Sequence, residues 1–455
     1  MNKIYNHIVI FYFLLVIFSR FFNLNTTSRF VWDESSDLVR MYQLYFHPKL
    51  TLIGPMSQDG VKVFSSLSYY LTLPFVALFK FTPVSSAYAT AFFGVITISI
   101  LVYLLKKFKI CQLTYWLSLI LFLISFPFLE SSRWAWNPHF IPFWQSLAVL
   151  FFTFNLPLLN LLSGIFMGAT IHHHWYALFA SLGFLFKKNY FFGIIIAILP
   201  FIIFDLTHPP GLFLSRALFF SPISPVNYSI NLSVIYKIPL QFFSYLSGNN
   251  KIFGVSLLLL FLFLIIKNRK KINFNYLIPV ILQLFGLMLI KSEIFTHYLL
   301  PAVLFFYLFI IINANKIKVF NYVLLLLIIS NLFSLKHIFF QNDWSNNINA
   351  INEITNIIES QAKIDKAKFN IAVLSSPDPN TKGQRFRDLL RLKKIDTAPD
   401  HDYQNINQVY FLSYAPWDKL VQDPSYEING FRNSMPISTW TIKNSSWILY
   451  KVQKN

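Results

Sequence analysis

The chain is a succession of apolar runs of roughly bilayer length, and the polar segments between them alternate in charge. Runs near residues 6–22, 84–105, 113–130, 139–154, 156–171, 175–186, 190–205, 252–266, 275–290, 298–312 and 319–336 stand out. They predict about eleven transmembrane helices, some shorter than the ~20 residues a straight crossing needs. Every other connection is basic: Lys106, Lys107 and Lys109, then Lys187 and Lys188, then Lys267, Arg269, Lys270 and Lys271, then Lys316 and Lys318. Basic connections stay in the cytoplasm, which puts the amino terminus inside and the C-terminal region outside. The acids give an independent check, because that rule does not use them. Asp33, Glu34, Asp37, Asp59, Glu130, Asp205 and Glu293 all fall on the opposite, outer side, as do the histidines after His7.

Composition agrees. Only 13% of residues are charged and 55% are hydrophobic, so too little polar surface exists to clothe a soluble globule of this size. A formal charge of +19 would suggest nucleic acid in a soluble protein. Here much of the lysine lies between apolar runs, where it sets topology and meets lipid headgroups, so membrane lipids are expected partners and nucleic acid is not. Cys111 is the single cysteine, which excludes an intrachain disulfide framework and a cysteine-based zinc site. The first run ends in Phe-Asn-Leu-Asn, without a small-residue cleavage site, and reads as a retained helix.

One apolar stretch, Ser65 to Phe81, is expected to lie along the outer surface as a juxtamembrane helix broken near Pro74. If it crossed, every later basic connection would face outward. The first outer loop then runs from Asn23 to Pro83, and so long a loop is usually functional. From about Phe340 the acids concentrate and the apolar runs shorten. Asn346 to Ile364 and Gln384 to Leu392 read as helices, and Phe369–Leu374, Gln408–Leu412 and Trp447–Val452 as strands. The expected division is a membrane domain over 1–338 and a small α/β extracytoplasmic domain over 339–455.

Charges at span ends on one side of a membrane suggest a site. Asp33 and Glu34 follow the first span, although Asp33 could equally cap a helix through Ser35–Phe46. Glu130, Ser132 and Arg133 precede Asn137-Pro138-His139. Arg133 can grip an anion by a bidentate contact or meet a headgroup, and Asn137 reads as a helix cap with Pro138 in the first turn. His172, His173 and His174 are consecutive, and successive helical residues turn by about 100°, so at most one or two face the same way. Metal, phosphate and interfacial packing are the readings of that cluster. Lys291, Glu293 and His297 close the set, with Asp205 and His208 at another outer end. Phosphate-binding glycine motifs are absent, and Asp400-His401-Asp402 lacks any nucleotide-binding context.

In order along the chain, Trp32-Asp33-Glu34, Leu52-Ile53-Gly54-Pro55, Ser68-Tyr69-Tyr70-Leu71, Ser132-Arg133 with Trp136-Asn137-Pro138, and His297-Tyr298-Leu299-Leu300-Pro301 together resemble the GT-C superfamily of membrane glycosyltransferases. The likeness is to bacterial relatives of protein mannosyltransferases and aminoarabinose transferases. It implies transfer of a sugar from a polyprenyl phosphate to a glycan, lipid or protein acceptor at the outer face of the cytoplasmic membrane. It implies Asp33 as general base, with Glu34 orienting it. Arg133, His173 or His174, Lys291 and His297 are the candidates for the donor phosphate, and Tyr69, Glu130, Asn137 and Glu293 for the substrate. Family members differ in their need for a metal, and a divalent ion here would sit on Asp33 and Glu34. The sequence departs from many relatives in placing Asn137 where a second acid stands. The alternatives are a polytopic transporter or flippase, and a ligase of lipid-linked oligosaccharides. A transporter more often places ionisable groups near the midplane, and none stands midway along a run here. The C-terminal region is expected to cover or shape the acceptor entrance.

Overall fold

The computed structural model describes residues 2–56, 63–214, 216, 232–289, 294–340, 347–374, 383–443 and 445–454. Among the described residues, six helices are long and apolar enough to cross a membrane: Ser85–Lys107, Gln112–Arg133, Lys188–Thr207, Lys251–Asn268, Thr296–Lys316 and Lys318–Phe340. Shorter apolar helices include His7–Phe21 and Leu277–Met288. The run at 175–186 forms only the helix Ala177–Ser181 and the 3-10 turn Leu182–Phe184. Their rise of about 12 Å is far less than a bilayer. A helix over Leu232–Leu246 was not expected, because Lys237, Pro239 and Gln241 interrupt its apolar run.

The chain divides into two compact units. The first comprises Met1–Phe22, Leu50–Leu71 and Ala89–Phe339. Its centre is Thr296–Lys316, with 89% of its apolar window buried, as an all-round apolar helix requires. Lys188–Thr207 and Lys251–Asn268 bury only 22% of theirs and present the remaining apolar surface outward.

Pro157–His173 packs on Lys188–Thr207 through small residues. A Cβ on Gly164 would lie 2.0 Å from the Tyr190 carbonyl oxygen, and one on Gly193 would lie 2.1 Å from that of Leu161. Close approach through small residues is a main way helices associate where no solvent drives them together. It also fixes where the histidines at the end of Pro157–His173 stand. Gly193→Leu is expected to lower the thermal midpoint in detergent by several degrees, and Gly193→Ala by less, as read by size exclusion after heating. Equal stability of the Leu variant would show that the helices do not need this approach.

A break at Ser125 divides Gln112–Ile124 from Phe126–Arg133. Pro127 has no N–H for the Leu123 carbonyl. Arg20 supplies the missing donor: Nη1 reaches the Leu123 oxygen at 2.9 Å and Nη2 the Phe122 oxygen at 2.7 Å. The Phe126 N–H turns to Asn331 Oδ1 at 2.5 Å. In the first outer loop, the strands Ile53–Met56 and Val63–Ser65 pair antiparallel, and a Cβ on Gly54 would meet the Ser65 oxygen at 2.2 Å.

The juxtamembrane helix runs unbroken over Leu67–Leu78, with Pro74 inside it. This corrects the expected break. A proline so placed gives up one ladder bond, whereas the turn comes later, at Lys80 and Phe81, with φ of 54° and 55°.

The second unit comprises Asn23–Lys49, Thr72–Tyr88 and Phe340–Asn455. Among the described residues, its sheet has four strands. Gln408–Ser413 lies between parallel Phe369–Val373 and antiparallel Ile448–Gln453, and Pro436–Thr441 adds the far edge. The helix Ile348–Asp365 starts on Asn347, whose Oδ1 accepts the Ala350 N–H at 2.8 Å; Asn346 lies outside the described residues. Asn347 also bridges to Arg29, and Asn349 Nδ2 donates to Thr26 Oγ1 at 3.1 Å. The Gln384–Leu392 helix packs on Trp32–Phe46.

Candidate active site

In the second unit, Trp32–Phe46 carries the acids in its first turn. Asp33 is the second residue of the helix and half-buried. It does not cap the helix, contrary to one expectation. Val31 holds the cap position, and Glu34 reaches back so that its Oε2 accepts the Val31 N–H at 2.7 Å. Glu34 is 3% exposed. Its carboxylate closes the turn. The next two residues meet the C-terminal region. Ser35 Oγ donates to Asp388 Oδ2 at 2.7 Å, with Ser36 Oγ farther off at 3.5 Å.

In the first unit, histidines and aromatic rings gather where three helices end. The three consecutive histidines separate: His172 and His173 end the helix, a step of about 100° apart, and His174 leaves it in an extended conformation. His172 is tied by Nδ1 to Ser65 Oγ at 3.0 Å and by Nε2 to the Ala197 oxygen at 2.7 Å. His173 is fully buried, and its Nε2 accepts from Trp144 Nε1 at 2.8 Å. That assignment puts the ring proton on Nδ1, which meets no acceptor among the described residues. His174 is the one that stands beside His297. Its ring stacks on Phe64 at 5.4 Å and lies 5.1 Å from His297. His297 sits at the start of Thr296–Lys316, 9% exposed, and packs on Trp136 at 4.2 Å. A helix N-terminus favours an anion, so His297 stands where a phosphate contact would be strengthened. Trp136 in turn stacks on Trp134 at 4.7 Å.

Arg133, a residue expected at a phosphate, donates to main-chain oxygens at the end of the first helix. Its Nη1 donates to the Ser19 oxygen at 2.7 Å and its Nη2 to the Phe22 oxygen at 2.7 Å, and its guanidinium lies over the Phe339 ring at 4.8 Å. It caps the carbonyl end of Asn2–Phe21, where a cation is favoured. Asn137 is not a cap either. It opens the 3-10 turn Asn137–Phe140, and its Nδ2 donates to the His173 oxygen at 2.7 Å, so it positions the histidine turn. Glu130 accepts from the Tyr245 hydroxyl at 3.0 Å. Tyr69 is buried, while its neighbour Tyr70 holds the Thr51 main chain through its hydroxyl at 2.9 Å. Asp205 accepts the Leu212 and Phe213 N–H groups at 2.8 and 2.9 Å and folds the turn past its helix. Lys291 and Glu293 lie outside the described residues.

Among the described residues, no group of three or more His, Cys, Asp and Glu side chains is placed to hold a metal. Asp33 and Glu34 alone, with Glu34 turned to Val31, make a poor donor set for a divalent ion.

Sequence reasoning missed Arg20, Trp144 and Asp388. Arg20 is the last basic residue of the first helix, and basic residues there ordinarily cap their own carbonyls. Nothing in the sequence says that it caps another helix.

The fold these elements define is the GT-C fold, and the chain is a multi-pass membrane protein. The chain is similar over 97% of its length, and 97% of the other's, to the crystal structure of ArnT from Cupriavidus metallidurans bound to undecaprenyl phosphate, with a TM-score of 0.59 at 9% identity. It is similar to the apo state of the same ArnT at TM-score 0.57 and 10% identity, over 99% of this chain and 98% of that one. No protein-family model and no curated protein sequence matches the chain.

Proposed function

We propose that the protein is a glycosyltransferase that takes a sugar from a polyprenyl phosphate at the outer face of the cytoplasmic membrane. The observation that carries this reading is the likeness of nearly the whole chain to a protein whose crystal structure holds undecaprenyl phosphate. The acceptor is a hydroxyl on a lipid, glycan or protein. Its oxygen attacks the anomeric carbon, the bond from that carbon to the phosphate oxygen breaks, and polyprenyl phosphate leaves with the electron pair. Asp33 takes the acceptor's proton. Glu34 keeps the turn closed beneath it. His174 and His297 are the residues assigned to the phosphate as its charge grows. Arg133 leaves that set, because its donors serve the first helix. The amino terminus lies inside, with residues 339–455 as an extracytoplasmic domain.

The test is sugar transfer by purified protein in detergent. A panel of radiolabelled polyprenyl-phosphate sugars is offered with acceptor-rich membrane extract. One donor is expected to be consumed with release of polyprenyl phosphate, and chelator is expected to leave the rate unchanged. If every donor stays intact, the reading fails. For the phosphate assignment, His297→Phe keeps the aromatic packing and removes both ring nitrogens. It is expected to raise KM for the donor or lower kcat by roughly 10- to 100-fold. Unchanged kinetics would remove His297 from the site.

A further inference from the structure

The C-terminal region contributes a buried carboxylate to the helix that carries Asp33. Asp388 is 5% exposed. It accepts from Ser35 Oγ at 2.7 Å, two residues beyond Asp33, and from Gln384 Nε2 at 2.8 Å. Gln384 Oε1 accepts from Arg387 Nη2 at 3.3 Å, and Arg387 Nη1 donates to the Ile371 oxygen at 2.8 Å and to Asn370 Oδ1 at 3.2 Å. An unbroken line of hydrogen bonds therefore runs from the sheet strand Phe369–Val373, through Arg387, Gln384 and Asp388, to Ser35. Ser35 is fully buried, and its N–H closes the turn on the Val31 oxygen at 3.2 Å. Because helical residues are held in fixed angular steps, fixing Ser35 fixes the direction of Asp33.

We propose that Asp388 is a positioning residue that sets the acid-bearing turn at residues 32–36 through Ser35, so that the C-terminal region is a working part of the catalytic acid's mounting. This rests on the reading of Asp33 as the general base. A short hydrogen bond to a buried carboxylate is directional, whereas apolar packing alone would leave the turn free to slide or rock. Burial raises the Asp388 carboxyl above its ordinary pKa, against the opposing donors Ser35 and Gln384 and the nearby Arg387 and Arg391. A raised folded-state pKa gives stability that is present below the ordinary carboxylate pKa and lost as pH rises through the folded value.

Ser35→Ala, Asp388→Ala, the double variant and Ser35→Thr decide the matter in the transfer assay. Each single Ala variant is expected to lower kcat about 5- to 20-fold with KM for the donor unchanged, and the pair to cost no more than the worse single change. Ser35→Thr keeps the hydroxyl and is expected to restore most of the rate. Multiplicative losses, full activity in either Ala variant, or failure of the Thr variant to rescue would overturn the proposal. Hydrogen exchange supplies a readout that does not need turnover. Amides of residues 35–38 are expected to exchange at least tenfold faster in Asp388→Ala, while those of Gln112–Ile124 keep their wild-type rates. If the wild type transfers no sugar, the enzymatic reading fails, and this exchange still decides the clamp: loss of protection upholds it and unchanged protection refutes it.

Discussion

Asp33→Asn is expected to cut sugar transfer by at least about 100-fold, in the range that removal of a general base produces, and to leave the protein folded. The substitution changes one atom and hardly any volume. Asp33 is half-buried in the first turn of a helix that does not depend on it for its cap, so an amide there should not loosen the turn. Glu34→Gln is the informative neighbour. Its remaining carbonyl oxygen can still accept the Val31 N–H, so the turn stays closed and the rate is expected to fall tenfold or less. The pair separates a chemical role from a mechanical one. If Glu34→Gln proves as damaging as Asp33→Asn, the proton goes to Glu34 or to both acids. If Asp33→Asn turns over at the wild-type rate, no residue of this turn is the base. Donor binding by both variants, measured without acceptor, should match the wild type.

The membrane architecture was legible because its rules are local. A run of apolar residues has to be a helix in lipid. The Gln384–Leu392 helix was legible for a similar reason: Phe386, Leu389 and Leu390 lie on one face and charges on the other. What escaped depends on partners far apart in sequence. Pro436–Thr441 is an edge strand that alternates half-buried and exposed residues, and a short alternating run beside a proline reads as a loop. Arg133 looked like an anion clamp because an arginine at a span end can be one. Only the fold shows that the carbonyls of Ser19 and Phe22 reach it first. The histidine triplet could be resolved no further than "one or two inward". The partners of His172, at Ser65 and Ala197, and of His173, at Trp144, then leave His174 beside His297. Asp388 is the extreme case, since its link to Ser35 spans 353 residues.

Arg20→Met is expected to be the most destabilising single change in the first unit. Arg20 is fully buried, and among the described residues it pairs with no carboxylate. Burying an unpaired charge is costly, and a methionine of similar length would avoid that cost. Against this stand three acceptors: Ser19 Oγ at 2.6 Å, the Leu123 oxygen at 2.9 Å and the Phe122 oxygen at 2.7 Å. The two carbonyls have lost their usual donors, one because residue 127 is proline and the other because the Phe126 N–H has gone to Asn331. Each orphaned carbonyl would cost about 1–3 kcal/mol. Hydrogen bonds from a charged donor are worth about 1.5–3 kcal/mol each, and three of them are set against the desolvation of the guanidinium, whose Nε meets no acceptor among the described residues. The thermal midpoint of Arg20→Met in detergent should therefore fall by several degrees, and Arg20→Lys should recover part of the loss with one flexible donor group in place of a planar fork. A Met variant more stable than the wild type would mean that the desolvation term wins, and that the break at Ser125 is held by Pro127 and Asn331 without the arginine. Because the break aims Phe126–Arg133, which carries the substrate candidate Glu130, the same variant should also lose transfer activity below its unfolding temperature. Retained activity in a destabilised Arg20→Met protein would confine this arginine to the scaffold.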